Sequence, residues 1–213
     1  MKVAVVLGGV PPPLAAAAKE LSGAFVVAAD AGATLCRAWG IRPDVVVGDM
    51  DSVAPGILDE LEAVGTRIEV HPRDKLHTDA RLALDVALAA SPDEVVFLAG
   101  AGRRLDQALA NLQLLRRAAE AGVAARAVEA DGRLWTVVPA RPLELALAKG
   151  AIFSVLPLTD EATGVAVEGA QYPLRDATMR FSDPYGVSNV AEGGRVRVSC
   201  ATGVLAVIEP TIP

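Results

Sequence analysis

The chain is poor in the residues that most often announce a site. Its 213 residues include two cysteines and two histidines, and aromatic side chains make up only 4%. Cys36 and Cys200 lie far apart and fit no metal-ligand spacing, so they are expected as small buried thiols in a reducing compartment. Neither histidine has a partner at metal-ligand spacing, which makes His77 a solvated loop residue before a zinc ligand. No apolar run approaches the roughly 18 residues that span a bilayer. No charged front with an apolar stretch and a small-residue cleavage site precedes the first strand-like run. A cytoplasmic protein without a membrane partner is therefore expected. Basic charge is also short: 20 Lys and Arg face 26 Asp and Glu, a net charge of −6, which argues against nucleic acid as the main partner. The dinucleotide fingerprint G-x-G-x-x-G and the phosphate loop G-x-x-x-x-G-K-[ST] are both absent after the first apolar run.

What is present is an ample core. Hydrophobic residues make up 52% of the chain, so disorder is excluded as a general description. Strand-like runs at 3–7, 24–28, 45–47, 67–70 and 95–98 alternate with helical patterns at 14–22, 33–39, 56–64, 79–90 and 105–122. Such alternation predicts βαβ units and a mainly parallel open sheet with helices, a Rossmann-like α/β domain. A further strand pair is expected to bracket Asp131-Gly132. After Pro139 the pattern changes to short strand-like runs at 151–156, 164–168, 178–181, 195–199 and 203–209, separated by turn residues. This predicts an all-β sandwich, with domains at 1–142 and 143–213.

The richest segment is Pro43-Asp44-Val45-Val46-Val47-Gly48-Asp49-Met50-Asp51-Ser52. A buried valine strand ends there in a glycine and two carboxylates at i, i+2. Ligands of open α/β sheets bind beyond the carboxyl ends of the strands. Two acids this close repel each other unless a cation or proton lies between them, and a hard divalent metal meets that need. Asp79, following Thr78, is a candidate third ligand on the same sheet edge; N-capping by Thr78 and first-turn placement of Asp79 explain the same residues structurally. Asp30, in Ala29-Asp30-Ala31-Gly32-Ala33, reads either as a helix cap or as a substrate or metal-water contact. Gly8-Gly9 reads either as a plain turn or as a phosphate contact. Gly100-Ala101-Gly102-Arg103-Arg104-Leu105-Asp106-Gln107 suits a polyphosphate met by backbone and guanidinium together; arginines solvated on a surface turn are the structural alternative.

These segments, in this order, resemble the thiamine pyrophosphokinase family. The β region continues the likeness through Gly169-Ala170-Gln171-Tyr172-Pro173-Leu174 and Gly186-Val187-Ser188-Asn189. The resemblance implies an α/β domain followed by a β-sandwich, a homodimer with active sites at the subunit interface, and ATP plus thiamine giving thiamine diphosphate and AMP. It implies that Asp49, Asp51 and Asp79 hold Mg²⁺ and, with Asp106, form the catalytic set. It places Asp30, Lys75, Arg103 and Gln107 on the nucleotide, and Tyr172, Ser188 and Asn189 on thiamine. The chain departs from the family pattern at Leu76, where an acid is usual, at Ala31 for glycine, at Gln107 where many bacterial members carry His, and at Val190 for a common acid. Two alternatives are a diphosphokinase for another hydroxymethyl heterocycle, such as a pterin, and a non-catalytic thiamine- or nucleotide-binding homologue.

Overall fold

Runs of valine with no polar alternation become strands covered on both faces, and the computed structural model, which describes residues 1–211, has such strands at the centre of its first unit. Val3, Ala4, Val5 and Val6 on β1 (Lys2–Val6) are all fully buried, as are Val46 and Val47 on β3 (Val45–Gly48). The other strands of this unit are β2 (Phe25–Ala29), β4 (Arg67–Val70), β5 (Glu94–Leu98) and β6 (Ala124–Glu129). Between them run α1 (Leu14–Leu21), α2 (Gly32–Ala38), α3 (Ile57–Ala63), α4 (Asp79–Ala89) and α5 (Leu105–Glu120). All pairings among these six strands are parallel, in the order β6-β5-β1-β2-β3-β4. The expected α/β sheet is therefore present. Its strands and helices lie within two or three residues of the boundaries expected from sequence, frayed most at helix ends.

The chain divides into two compact units: Met1–Leu114 with Val123–Ala130, and Leu115–Gly122 with Asp131 onward. The second unit is antiparallel throughout. Strands β7 (Gly132–Val137), β9 (Ile152–Pro157), β12 (Asn189–Val190) and β14 (Leu205–Pro210) pair in the order β12-β9-β14-β7. Strands β8 (Leu143–Leu147), β10 (Glu161–Glu168), β11 (Leu174–Arg180) and β13 (Gly194–Ser199) pair in the order β11-β10-β13-β8. The two layers share one core in which Phe153, Val165, Met179 and Leu205 are fully buried. Strand β8 is absent from the expected runs. It reads Leu-Glu-Leu-Ala-Leu, a period-two pattern built from residues that favour helix, and pairing with β13 overrides that propensity. Strand β10 starts earlier than its apolar run because register shifts near Val165 break the alternation, beside Gly164 at φ 61°. Cys36 and Cys200 are both buried and free. Among the described residues, no helix is long and apolar enough to cross a membrane.

One ion-pair cluster ties the first unit together. Arg126 on β6 donates to Glu94 on β5 at 2.7 Å and to Glu20 on α1, and Lys2 lies 3.8 Å from Glu20. The hydrogen bond from Arg126 holds the Glu20 carboxyl below its ordinary value, against burial, which pushes it up. A depressed carboxylate stabilises the fold above its unfolded pKa and loses that contribution as pH falls through the folded value. Glu20→Gln is expected to cost about 1–3 kcal/mol at neutral pH, because Arg126 keeps only Glu94. The cost should shrink in acid well below the carboxylate range of about 4. Urea midpoints of both proteins at the two pH values check this, and an unchanged difference would remove the charge argument.

Candidate active site

The strand order reverses between β1 and β5: the chain adds β2, β3 and β4 on one side of β1, then returns to place β5 and β6 on the other. At such a switch point the loops after the two central strands diverge and leave a crevice. A cleft of about 630 Å³ opens there, with Gly9 after β1, Asp30 after β2, Ser52 after β3 and Gly100 after β5 among its lining residues.

Its floor is backbone held close to backbone. Gly9 N donates to Ala99 O at 2.7 Å and Val10 N to Ala101 O at 2.8 Å. A Cβ on Gly9 would stand 2.4 Å from Ala101 O and 2.5 Å from Ala99 O, so only glycine allows this approach. These amides are committed to the loop after β5, and the turn reading of Gly8-Gly9 accounts for them. Gly100 N and Ala101 N in turn donate to the Glu129 carboxylate at 2.8 and 3.1 Å, and Asn111 Nδ2 donates to Gly100 O at 2.7 Å. The backbone of Gly100 and Ala101, expected from sequence to face a polyphosphate, is bound to Glu129 instead. Glu129 carries no signal of its own in the sequence; it ends an ordinary strand pattern, and only the pairing of β6 with β5 brings it to the turn.

The acids gather at the ends of β2 and β3. One carboxylate oxygen each from Asp30, Asp49 and Asp51 lie within 4.8 Å of one another. Asp30 does not cap α2, which starts without a side-chain cap bond. It sits in the left-handed region at φ 44°, and its Oδ1 accepts from Ser52 N at 3.3 Å. Burial pushes its carboxyl up, opposed by the Ser52 hydrogen bonds and reinforced by the charge of Asp79. Asp49 is held below its ordinary value, chiefly by its hydrogen bond from Lys75. Lys75 Nζ stands 3.1 Å from Asp49 Oδ2 and 3.1 Å from Asp79 Oδ1. Burial alone would lower the lysine, yet the two carboxylates outweigh it and raise it. Thr78 is the expected N-cap, accepting from Arg81 N at 3.2 Å, and this sets Asp79 as the first residue of α4. Asp79 Oδ1 is buried, with the Lys75 ammonium as its ion-pair partner and no other polar partner among the described residues.

Arg103 and Gln107 line the same cleft. Asp106 does not line it: its carboxylate takes a two-point ion pair from Arg104, at 3.1 and 2.6 Å, and accepts from Gln107 N at 2.9 Å. The Arg104 hydrogen bond depresses the Asp106 carboxyl. The remaining candidates stand in the second unit. The buried Asn189 amide accepts from Tyr172 N at 3.1 Å and donates to Tyr172 O at 2.8 Å, which fixes the backbone beneath the exposed Tyr172 ring. Ser188 is left-handed at φ 59°, and its N donates to Ser154 Oγ at 3.1 Å.

Comparison with known proteins gives this geometry a family. The model for "Thiamin pyrophosphokinase, catalytic domain" matches residues 18–126, and that for "Thiamin pyrophosphokinase, vitamin B1 binding domain" matches residues 142–205. The chain belongs to the thiamin pyrophosphokinase family. It is thus an enzyme of thiamin metabolism, a transferase of the kinase type. The thiamine pyrophosphokinase of Bacillus subtilis (strain 168) is 27% identical over 186 residues, 87% of this chain and 86% of that one. The crystal structure of thiamine pyrophosphokinase from Bacillus subtilis superimposes with a TM-score of 0.87 at 22% identity, over the whole of both chains. Thiamin pyrophosphokinase from Candida albicans superimposes at 0.82 with 16% identity, over 99% of this chain and 89% of that one. At such identities the superpositions establish the fold, and within the thiamin pyrophosphokinase fold the acid cluster lies at the end of the valine strand β3.

Proposed function

We propose that the cleft binds ATP with Mg²⁺ and that the enzyme moves the terminal diphosphate of ATP to the hydroxyl of thiamine, releasing AMP. The observation that carries this reading is the group of four carboxylates beyond β2 and β3 and at the start of α4, two of which, Asp49 and Asp79, are bridged by a lysine ammonium. Lys75 stands between Asp49 and Asp79 where a cation is needed, and the buried Asp79 Oδ1 has no other polar partner among the described residues. An all-oxygen donor set suits a hard divalent ion, so Asp49, Asp51 and Asp79 would hold Mg²⁺, with Asp30 beside them. Bound there, Mg²⁺ would offset the charge of the phosphates.

The chain's own groups do the positioning. Arg103 and Gln107 on the cleft wall receive the triphosphate, and Asp106 acts through Arg104, whose guanidinium it orients. Diphosphoryl transfer asks the protein for in-line alignment and charge neutralisation, with little covalent help. In the thiamine hydroxyl's attack, the bond to the β-phosphorus forms as the bond from that phosphorus to the AMP oxygen breaks. We assign the nucleotide to residues 1–142 and thiamine to residues 143–213, where Tyr172 offers an aromatic face over the backbone that Asn189 fixes, with Ser188 beside it. A second copy of the chain completes each site in a homodimer.

Incubation of the purified protein with ATP, Mg²⁺ and thiamine is expected to yield AMP and thiamine diphosphate in equal amounts. ADP with thiamine monophosphate would overturn the diphosphoryl step. A monomeric mass by light scattering at assay concentration would remove the homodimer.

A further inference from the structure

The cleft wall raises a question of access. Asp49 and Asp51 do not line the cleft, whereas Arg73 and Lys75 do. Both cations come from one segment, the connection between β4 and α4, and both are paired to the acids behind them. Arg73 Nη2 is 2.9 Å from Asp51 Oδ2, and Lys75 Nζ is 3.1 Å from Asp49 Oδ2 and from Asp79 Oδ1. The two pairs are not equivalent. The Arg73 side chain is 83% exposed, so its pair is screened and weak. The Lys75 and Asp49 side chains are each only 14% exposed, so theirs is partly withdrawn from water and stronger.

A divalent ion ligated by Asp49 and Asp79 needs the oxygens that Lys75 holds. An ammonium and a metal ion cannot share those oxygens, since like charges a few ångströms apart repel strongly where water is scarce. The lysine must move before the ion enters. It already lines the cleft, so the nearest new partner is an anion in that cleft.

We propose that Lys75 is an internal counter-ion that occupies the metal oxygens of Asp49 and Asp79 in the free protein and yields them to the divalent ion when a polyphosphate arrives to take its ammonium. This rests on the reading of Asp49 and Asp79 as metal ligands. The same charge then acts with opposite sign on two ligands. It opposes the metal while the cleft holds no phosphate, and it helps hold the phosphate once the metal is in. Metal and polyphosphate therefore favour each other through one side chain, a coupling that is reciprocal by linkage.

The test uses Mn²⁺ as the probe, with free ion counted by electron paramagnetic resonance in the absence of nucleotide. Lys75→Gln is expected to bind Mn²⁺ at least about fivefold more tightly than the wild type, the lower end of ordinary coupling between sites. The same variant should show a raised KM for ATP, so the two readouts move in opposite directions. A lysine that merely supported the loop would weaken both. Arg103→Gln removes a cation from the same wall and should leave Mn²⁺ affinity within about twofold, because no acid loses its partner. Lys75→Arg keeps the charge and should stay as weak for Mn²⁺ as the wild type. Equal or weaker Mn²⁺ binding by Lys75→Gln, or equal tightening by Arg103→Gln or Lys75→Arg, would overturn the proposal. Failure of every protein to bind Mn²⁺ would instead remove the metal assignment on which it rests.

Discussion

Asp49→Asn combined with Asp51→Asn is expected to lower kcat for thiamine diphosphate formation by at least about 10³, the scale on which electrostatic stabilisation of a transferring group acts. The carboxylates stand at the end of β3, where one oxygen of each lies within 4.8 Å of the others and of Asp30. Two amides in their place keep shape and volume and remove two negative charges. The fold should tolerate this, since the change also relieves repulsion between neighbouring acids. Lys75 keeps Asp79 as a partner at 3.1 Å, and Arg73, largely exposed, is solvated without one. AMP release by the variant at saturating ATP, with a thermal melt as control, gives the measurement. Activity within tenfold of wild type in a folded variant would remove both acids from the metal set.

The second large effect is expected at Gly48. Its φ of 153° lies in a region that side chains rarely adopt. A Cβ built there stands 2.9 Å from Asp79 Oδ1, 3.0 Å from the Asp30 Cβ and 3.2 Å from Asp79 Cγ. Gly48→Ala therefore inserts a methyl group among the acids themselves. Asp79 has little room to yield, because Thr78 caps α4 and fixes its first residue. Misplacing reacting groups by about 1 Å costs roughly 10² in rate, and we expect a loss of that order in kcat/KM. The strand is fully buried but Gly48 is its last residue, so the melt should shift far less than the rate. A Gly48→Ala enzyme with kcat/KM within about threefold of wild type would show that the acids have slack that this packing denies.

Much of the site was legible because strand ends are legible. Val45-Val46-Val47-Gly48 followed by Asp49 and Asp51 is a buried strand opening on two carboxylates, and both the strand and the grouping of its acids are present. Thr78 as the cap of α4 was equally readable, since capping is set by residues within one turn. Asp30 was ambiguous for a physical reason: a short acid before a helix suits a cap, and only the loop after β3 supplies Ser52 N as the partner it has instead. Gly8-Gly9 reads equally as a plain turn or a phosphate contact and Gly100-Ala101 suits a phosphate, yet Gly9 N is bound to Ala99 O, and Gly100 N and Ala101 N to Glu129. In the β region, β8 is not legible because leucine and glutamate carry no strand signal until β13 lies alongside.

By itself the sequence determined the alternation of elements, the change to antiparallel strands after the first two-thirds, and the chemical character of the acids beyond β3. These follow from periods of 2 and 3.6 and from turn residues, which act over a few positions. The tertiary structure alone decided that β5 returns to the far side of β1, that Asp30 joins Asp49 and Asp51, and that Lys75 lies between Asp49 and Asp79. Lys75 and Asp49 are 26 residues apart, and Gly100 and Glu129 are 29 apart. No local pattern encodes such pairs; they exist because hydrophobic burial fixes which strands are neighbours, and the loops at their ends must then satisfy one another's charges.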